Sequence, residues 1–92
     1  MWTVYILQHT ETEQIYIGVT KDLKKRIAAH NAGKQRSTIR KQGEWRLVYA
    51  EAYRSKEDAI QREQRLKHHG SAKHELLKRV QRCLFSTKTG AG

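Results

Sequence analysis

Glu63 is the sharpest chemical anomaly in this sequence. Residues 56–69 have helical spacing, with Ala59, Ile60 and Leu66 on one apolar arc, and Glu63 falls inside that arc. A carboxylate facing a core without a partner costs several kcal/mol, and a small domain has only about 5–15 kcal/mol of net stability. Glu63 therefore snorkels to an edge, pairs with an arginine, Arg26 or Arg65, or serves a site. Spacing alone leaves the salt-bridge and site readings level. Arg26 and His30 are a second pair, at i and i+4 on an earlier helix beside its Leu23–Ile27 stripe. An arginine there suits a phosphate oxygen, and a histidine can move a proton near neutral pH. Taken alone, the two also read as the solvated margin of an amphipathic helix. Tyr5 and Tyr16 are the third set, and by themselves they read as a cross-strand aromatic pair. Gly18 in a strand interior is weakening unless a backbone or ligand comes close. The remaining reactive types give no pattern. His68, His69, His74 and Cys83 match no zinc spacing, no GxxxxGK[ST] run is present, and Ser37 has no nucleophile-elbow context.

The elements that must position these residues follow from periodicity. Residues 2–8 and 15–20 alternate as strands of a hairpin, with Trp2, Val4, Ile6, Ile15, Ile17 and Val19 forming the buried face. That parity places Tyr5 and Tyr16 together on the other face. Thr20 is the expected cap of a helix over 21–31, which Asn31 and Gly33 stop. Residues 33–44 read as a basic loop. A third strand spans 45–53, with Trp45, Leu47 and Tyr49 sharing one face and Val48, Ala50 and Ala52 the other. Ser55 caps the Glu63 helix, with Asp58 making an imperfect capping box, and Gly70 ends it. Ser71 caps a third helix with Leu76, Leu77, Val80, Cys83 and Leu84 on one side. The expected fold is α+β, a small three-stranded antiparallel sheet flanked by about three helices. One domain fills residues 1–84, and 85–92 reads as a frayed tail.

Charge narrows the partner. Nineteen Lys and Arg against nine Asp and Glu give a formal net charge of +10 over 92 residues, which favours a polyanion, most often nucleic acid. The basic residues are spread over several elements, unlike a membrane-surface helix, and no apolar run is long enough to span a bilayer. One cysteine and no secretory pattern fit a cytoplasmic protein.

In combination these residues resemble the GIY-YIG nuclease family. Thr3-Val4-Tyr5 corresponds to its first triplet and Tyr16-Ile17-Gly18 to its second. VTKDLKKRIAAHN looks like its arginine- and histidine-bearing helix, and EWRLVYAEAYRSKEDAIQREQRLK like its third strand and glutamate helix. The likeness covers about residues 2–80 and is nearest to short, stand-alone bacterial, excinuclease-like members. Each triplet alone is weak, but the ordered set of Tyr, Tyr, Gly, Arg, His and Glu is specific. It implies an endonuclease that hydrolyses DNA phosphodiesters with Mg²⁺ or Mn²⁺, of the kind found in DNA repair or recombination. Tyr5, Tyr16, Arg26, His30 and Glu63 would then be catalytic, with Glu63 the metal ligand and Gly18 structural at the site. Lys34, Arg36, Arg40 and Lys41 would contact the nucleic-acid backbone. A monomer, aided by a protein partner for targeting, is the expected state. The sequence departs from the family at Thr3, where glycine is usual, at Val4, where isoleucine is usual, and at Glu44, where proline is frequent. It also lacks the late asparagine of some members. The alternative, a non-catalytic nucleic-acid-binding module, rests on that last difference.

Overall fold

A computed structural model describes residues 1–37 and 43–84, with the backbone alone for 33–37. Strand β1 (Trp2–His9) is central, between β2 (Ile15–Thr20) and β3 (Trp45–Tyr53), and both pairings are antiparallel. The polar run between β1 and β2 closes as a turn in which Glu13 takes positive φ. His9 Nδ1 accepts from the Glu11 and Thr12 amides there. Tyr5 lies opposite Gly18, and Leu7 opposite Tyr16. The two tyrosines therefore share a sheet face, as the alternation requires.

The opposite face is the main core. Val4, Ile6 and Ile17 meet Ala59 and Leu66 of α2 (Lys56–His68) and Leu76 of α3 (Gly70–Arg79). Burying side chains of this size contributes roughly 1.5–3 kcal/mol each. A short 3₁₀ turn, Gln81–Cys83, follows α3. The third helix, α1 (Leu23–Ser37), packs on the tyrosine side, where His30 reaches Tyr5 and Asn31 reaches Trp45. No helix among the described residues is long and apolar enough to cross a membrane.

Several local expectations are corrected. α1 does not stop at Asn31 or Gly33. The Asn31 side chain instead accepts from the Trp45 amide at 2.7 Å and donates to the Trp45 carbonyl at 3.2 Å. It is spent on β3, so the helix continues to Ser37 and takes in part of the expected basic loop. Its first turn is capped by Asp22, whose Oδ1 accepts from the Lys25 amide, while Thr20 Oγ1 accepts from the Asp22 amide. β3 does not alternate cleanly either. Ile6 pairs with Tyr49 but Leu7 pairs with Leu47, so Val48 is the extra residue of a bulge. Trp45 and Leu47 stay on the tyrosine face, while Tyr49 turns to the core beside Val48. Ser55 caps α2 as expected, accepting from the Asp58 amide. Ile60 is exposed, so the buried arc of α2 is Ala59, Glu63 and Leu66. α3 begins at Gly70 rather than behind a Ser71 cap. It ends at Arg79, leaving Cys83 exposed and Leu84 beyond the helix. The expected tail, 85–92, lies outside the described residues.

Candidate active site

The tyrosine face of the sheet gathers four of the five candidate side chains. Tyr5 is wholly buried, and its hydroxyl is hydrogen-bonded to His30 Nε2 at 3.3 Å. Tyr16 is half-buried, with its ring 4.5 Å from that of His30 and 6.1 Å from that of Tyr5. Arg26 lies one turn before His30 on α1, and its charge acts on both Tyr5 and His30.

Gly18 explains how Tyr5 fits. A Cβ on Gly18 would stand 2.5 Å from the Tyr5 hydroxyl oxygen and 2.7 Å from the ring carbon that bears it. The group that comes close to this glycine is thus the phenol of the neighbouring strand. No other residue leaves the phenol room to lie across β2.

Burial sets the proton affinities. It pushes the Tyr5 phenol up to about 12, with Tyr16 adding to the rise and the Arg26 charge offsetting part of it. Burial also lowers the pKa of His30, and the Arg26 charge lowers it further. Near neutral pH, His30 is therefore an uncharged imidazole beside a protonated phenol. With Nε2 unprotonated, the phenol donates to it.

Two further rings extend the cluster. Trp45 lies 6.2 Å from His30 and 6.4 Å from Tyr16, and His9 packs edge-on to Trp45 at 5.2 Å. Sequence reasoning missed Trp45, His9 and Asn31 as site neighbours, because the Asn31 clamp that joins α1 to β3 leaves no local pattern.

Glu63 has no hydrogen bond or ion pair to the other four among the described residues. It is 8% exposed and belongs to α2, which covers the core face of the sheet. Its Oε2 is 2.9 Å from Lys67 Nζ, and its Oε1 accepts from Gln64 at 3.2 Å. The cation beside Glu63 is thus Lys67, not Arg26 or Arg65. The backbones of Lys34 and Arg36 lie in the last turns of α1, where side chains are not described, and Arg40 and Lys41 lie outside the described residues. His68, His69, His74 and Cys83 are exposed, and no group of three or more His, Cys, Asp or Glu side chains among the described residues could hold a metal ion.

Residues 1–76 match the family described as the GIY-YIG catalytic domain. The chain belongs to the GIY-YIG family. Its relatives include the UPF0213 protein of Yersinia pestis, 32% identical over 87 residues that make up 95% of this chain and 90% of the relative. The UPF0213 protein of Streptococcus pneumoniae is 42% identical over 52 residues, 56% of this chain and 52% of the relative. Among solved structures, the solution NMR structure of the UPF0213 protein BH0048 from Bacillus halodurans is 37% identical. It aligns with a TM-score of 0.53 over 87% of this chain and 85% of that one. The GIY-YIG family is one of nucleases, and short bacterial members are what this chain resembles. In this chain the two triplets have a structural relation: the tyrosine of the first lies directly across from the glycine of the second. Thr3, at the glycine position of the first triplet, pairs with Thr20 and Ala52 as an ordinary strand residue.

Proposed function

We propose that this chain is a divalent-metal-dependent endonuclease that hydrolyses phosphodiester bonds of DNA. The observation that carries the reading is the Tyr5–His30 hydrogen bond, next to half-buried Tyr16 and under the charge of Arg26. Such a group can take a proton from water and hold a phosphate beside it. Tyr16, the tyrosine that substrate reaches, orients the attacking water. Tyr16 takes the water's proton as it hands its own to Tyr5, buried behind it, and Tyr5 hands its own to neutral His30, so both phenols are regenerated and His30 carries the proton. Arg26 binds the scissile phosphate and favours its crowded negative transition state.

Glu63 makes no polar contact with Tyr5, Tyr16, Arg26 or His30, so it is assigned to the ion rather than to proton transfer. Its donor chemistry fits. A single carboxylate with water completing the shell suits hard Mg²⁺ or Mn²⁺, and the carboxylate already attracts a cation, the partly exposed Lys67 ammonium. When bound, the ion would stabilise negative charge on the phosphate and leaving oxygen. Lys34, Arg36, Arg40 and Lys41 supply sequence-independent backbone contacts in this reading. Residues 1–84 are the working unit, a monomer in the cytoplasm that a protein partner directs to its DNA.

The test is nicking of a supercoiled plasmid with Mg²⁺ or Mn²⁺, with a chelator and Glu63→Ala as controls. Nicking that both controls abolish supports the proposal. Wild type that stays inert across metals and DNA structures overturns it. A second reading, a nucleic-acid-binding module without catalysis, is favoured by the Lys67 ammonium that neutralises Glu63. It predicts salt-sensitive binding with neither cleavage nor metal affinity.

A further inference from the structure

A cavity of about 410 Å³ opens where β2 runs into α1, with Trp2, Lys21, Asp22, Lys25 and Arg26 in its lining. We propose that it is an anion subsite for a nucleic-acid backbone phosphate that flanks the phosphodiester at Arg26. The inference rests on the nuclease reading for the identity of the polyanion, and on the cavity itself for the rest.

Charge is the first argument. Lys21, Lys25 and Arg26 face one acid, Asp22, whose Oδ1 caps α1 by accepting from the Lys25 amide. The ion pairs among the described residues are Arg46–Glu44, Arg62–Glu51 and Lys67–Glu63, all elsewhere. Lys21, Lys25, Arg26 and nearby Lys56 therefore share one corner with no carboxylate in a salt bridge to any of them. Like charges this close repel, and a bound anion removes the repulsion.

The second argument is Trp2. Its ring has Lys21 Nζ at 5.5 Å and Lys56 Nζ at 5.1 Å from its centroid. Cation–π attraction holds both ammoniums against the ring, which itself lines the cavity, so less of their freedom is lost when an anion arrives. Trp2 thus organises cations that come from two elements, the end of β2 and the start of α2.

Arg26 is the third. It lines this cavity and its charge also acts on Tyr5 and His30. One strand can therefore lie with one phosphate at Arg26 and the tyrosines and a neighbouring one among Lys21, Lys25 and Lys56. Lysines are point charges without a fixed fork, so recognition here is of the backbone and not of base sequence.

The experiment follows the Trp2 indole N–H by NMR without divalent metal, its signal assigned with Trp2→Phe. Three probes are added separately: inorganic phosphate, thymidine 5′-monophosphate and a short single-stranded oligodeoxynucleotide. Expected are shifts of the indole and of the Thr20–Arg26 amides, produced by the oligonucleotide at far lower concentration than by either small phosphate. The double variant K21A/K56A should weaken oligonucleotide binding about five- to ten-fold. It should also flatten the log–log salt dependence by up to about 0.7, the value for one single-strand phosphate contact, with an unchanged Tm. An indole that does not move while Tyr16 and His30 signals do overturns the subsite. So does K21A/K56A binding with wild-type affinity and salt slope, or inorganic phosphate binding as tightly as the oligonucleotide. None of these readouts needs cleavage. A chain that binds in this way but never nicks keeps the subsite and loses the nuclease reading, and a chain that nicks without these shifts does the reverse.

Discussion

At the scale of single residues, Tyr5 joins the two halves of the site: it lies over Gly18 and bonds to His30. Gly18→Ala places a methyl in the space of the phenol, and overpacking of this kind costs about 1–3 kcal/mol. The expected outcome is a lower Tm, together with loss of the His30 signal perturbed by Tyr5 and loss of nicking. Restored activity in the double variant Gly18→Ala, Tyr5→Phe would show that the hydroxyl is dispensable.

The proton affinities make a second prediction. His30 has a folded pKa below its ordinary 6.5. Below pH 6.5 the unfolded chain takes up a proton that the folded chain refuses, so this stability is present above 6.5 and is lost as pH falls through the folded value. NMR titration should find His30 titrating below 6.5, and Arg26→Gln should raise that value by removing a like charge. An unchanged value in Arg26→Gln would remove Arg26 from the electrostatics of the site. Tyr5 behaves oppositely, keeping its proton to about 12. Its contribution is present below pH 10 and is lost between 10 and about 12, which phenolate absorbance can follow.

At the scale of elements, two side-chain clamps fix the helices to β3. Asn31 ties α1 to the Trp45 backbone. Asn31→Ala leaves a half-buried amide and carbonyl without that partner and should cost about 1–3 kcal/mol, with faster hydrogen exchange at the Trp45 amide as the local readout. The second clamp ties α2. Glu51 receives the Arg62 guanidinium at 2.7 Å and the hydroxyls of Tyr49 and Tyr53. Burial alone would raise the pKa of Glu51, but the bonds from Arg62, Tyr53 and Tyr49 outweigh it, and the net shift is downward. Arg62 is next to Glu63, so the clamp fixes the rotation of α2 that turns Glu63 inward. Arg62→Ala should destabilise by about 2–3 kcal/mol, discounted from a fully buried pair because both side chains are partly exposed. It should also weaken Mn²⁺ binding, measured by paramagnetic broadening. Destabilisation with unchanged Mn²⁺ affinity would leave the clamp purely structural.

Neither clamp was legible in the sequence, and neither was the bulge at Val48 that separates Tyr49 from Trp45. Each depends on a partner 11 or more residues away or on a break in alternation. The β1–β2 hairpin was legible, because its period-two apolar rows admit one parity. So was α2, because Ser55 and the Ala59–Leu66 spacing are local signals.

At the scale of the whole molecule, the net charge of +10 governs encounter with a polyanion. Association should be fast at low ionic strength and fall steeply with salt, and plasmid and random oligonucleotide should bind alike, because backbone contacts carry no sequence information. A filter-binding series in NaCl measures this, and salt-independent affinity would sink the electrostatic account. The surface divides the work: the acids of the described ion pairs sit just before β3, on β3 and on α2, while the corner of Trp2, Lys21, Lys25 and Arg26 has no described ion pair.

By itself the sequence determined the family, the α+β class, the shared sheet face of the two tyrosines and a strongly basic charge balance. These follow from local periodicity, from an ordered set of residue types and from summed charge, all of which survive without knowing what lies next to what. Only the tertiary structure decided that Tyr5 is buried behind Tyr16, that Gly18 makes room for its phenol and that burial lowers the pKa of His30. The same is true of Glu63, which pairs with Lys67 and makes no polar contact with Tyr5, Tyr16, Arg26 or His30. Burial, desolvation and close approach depend on distances between residues far apart in the chain, and those are set by how the sheet and helices pack.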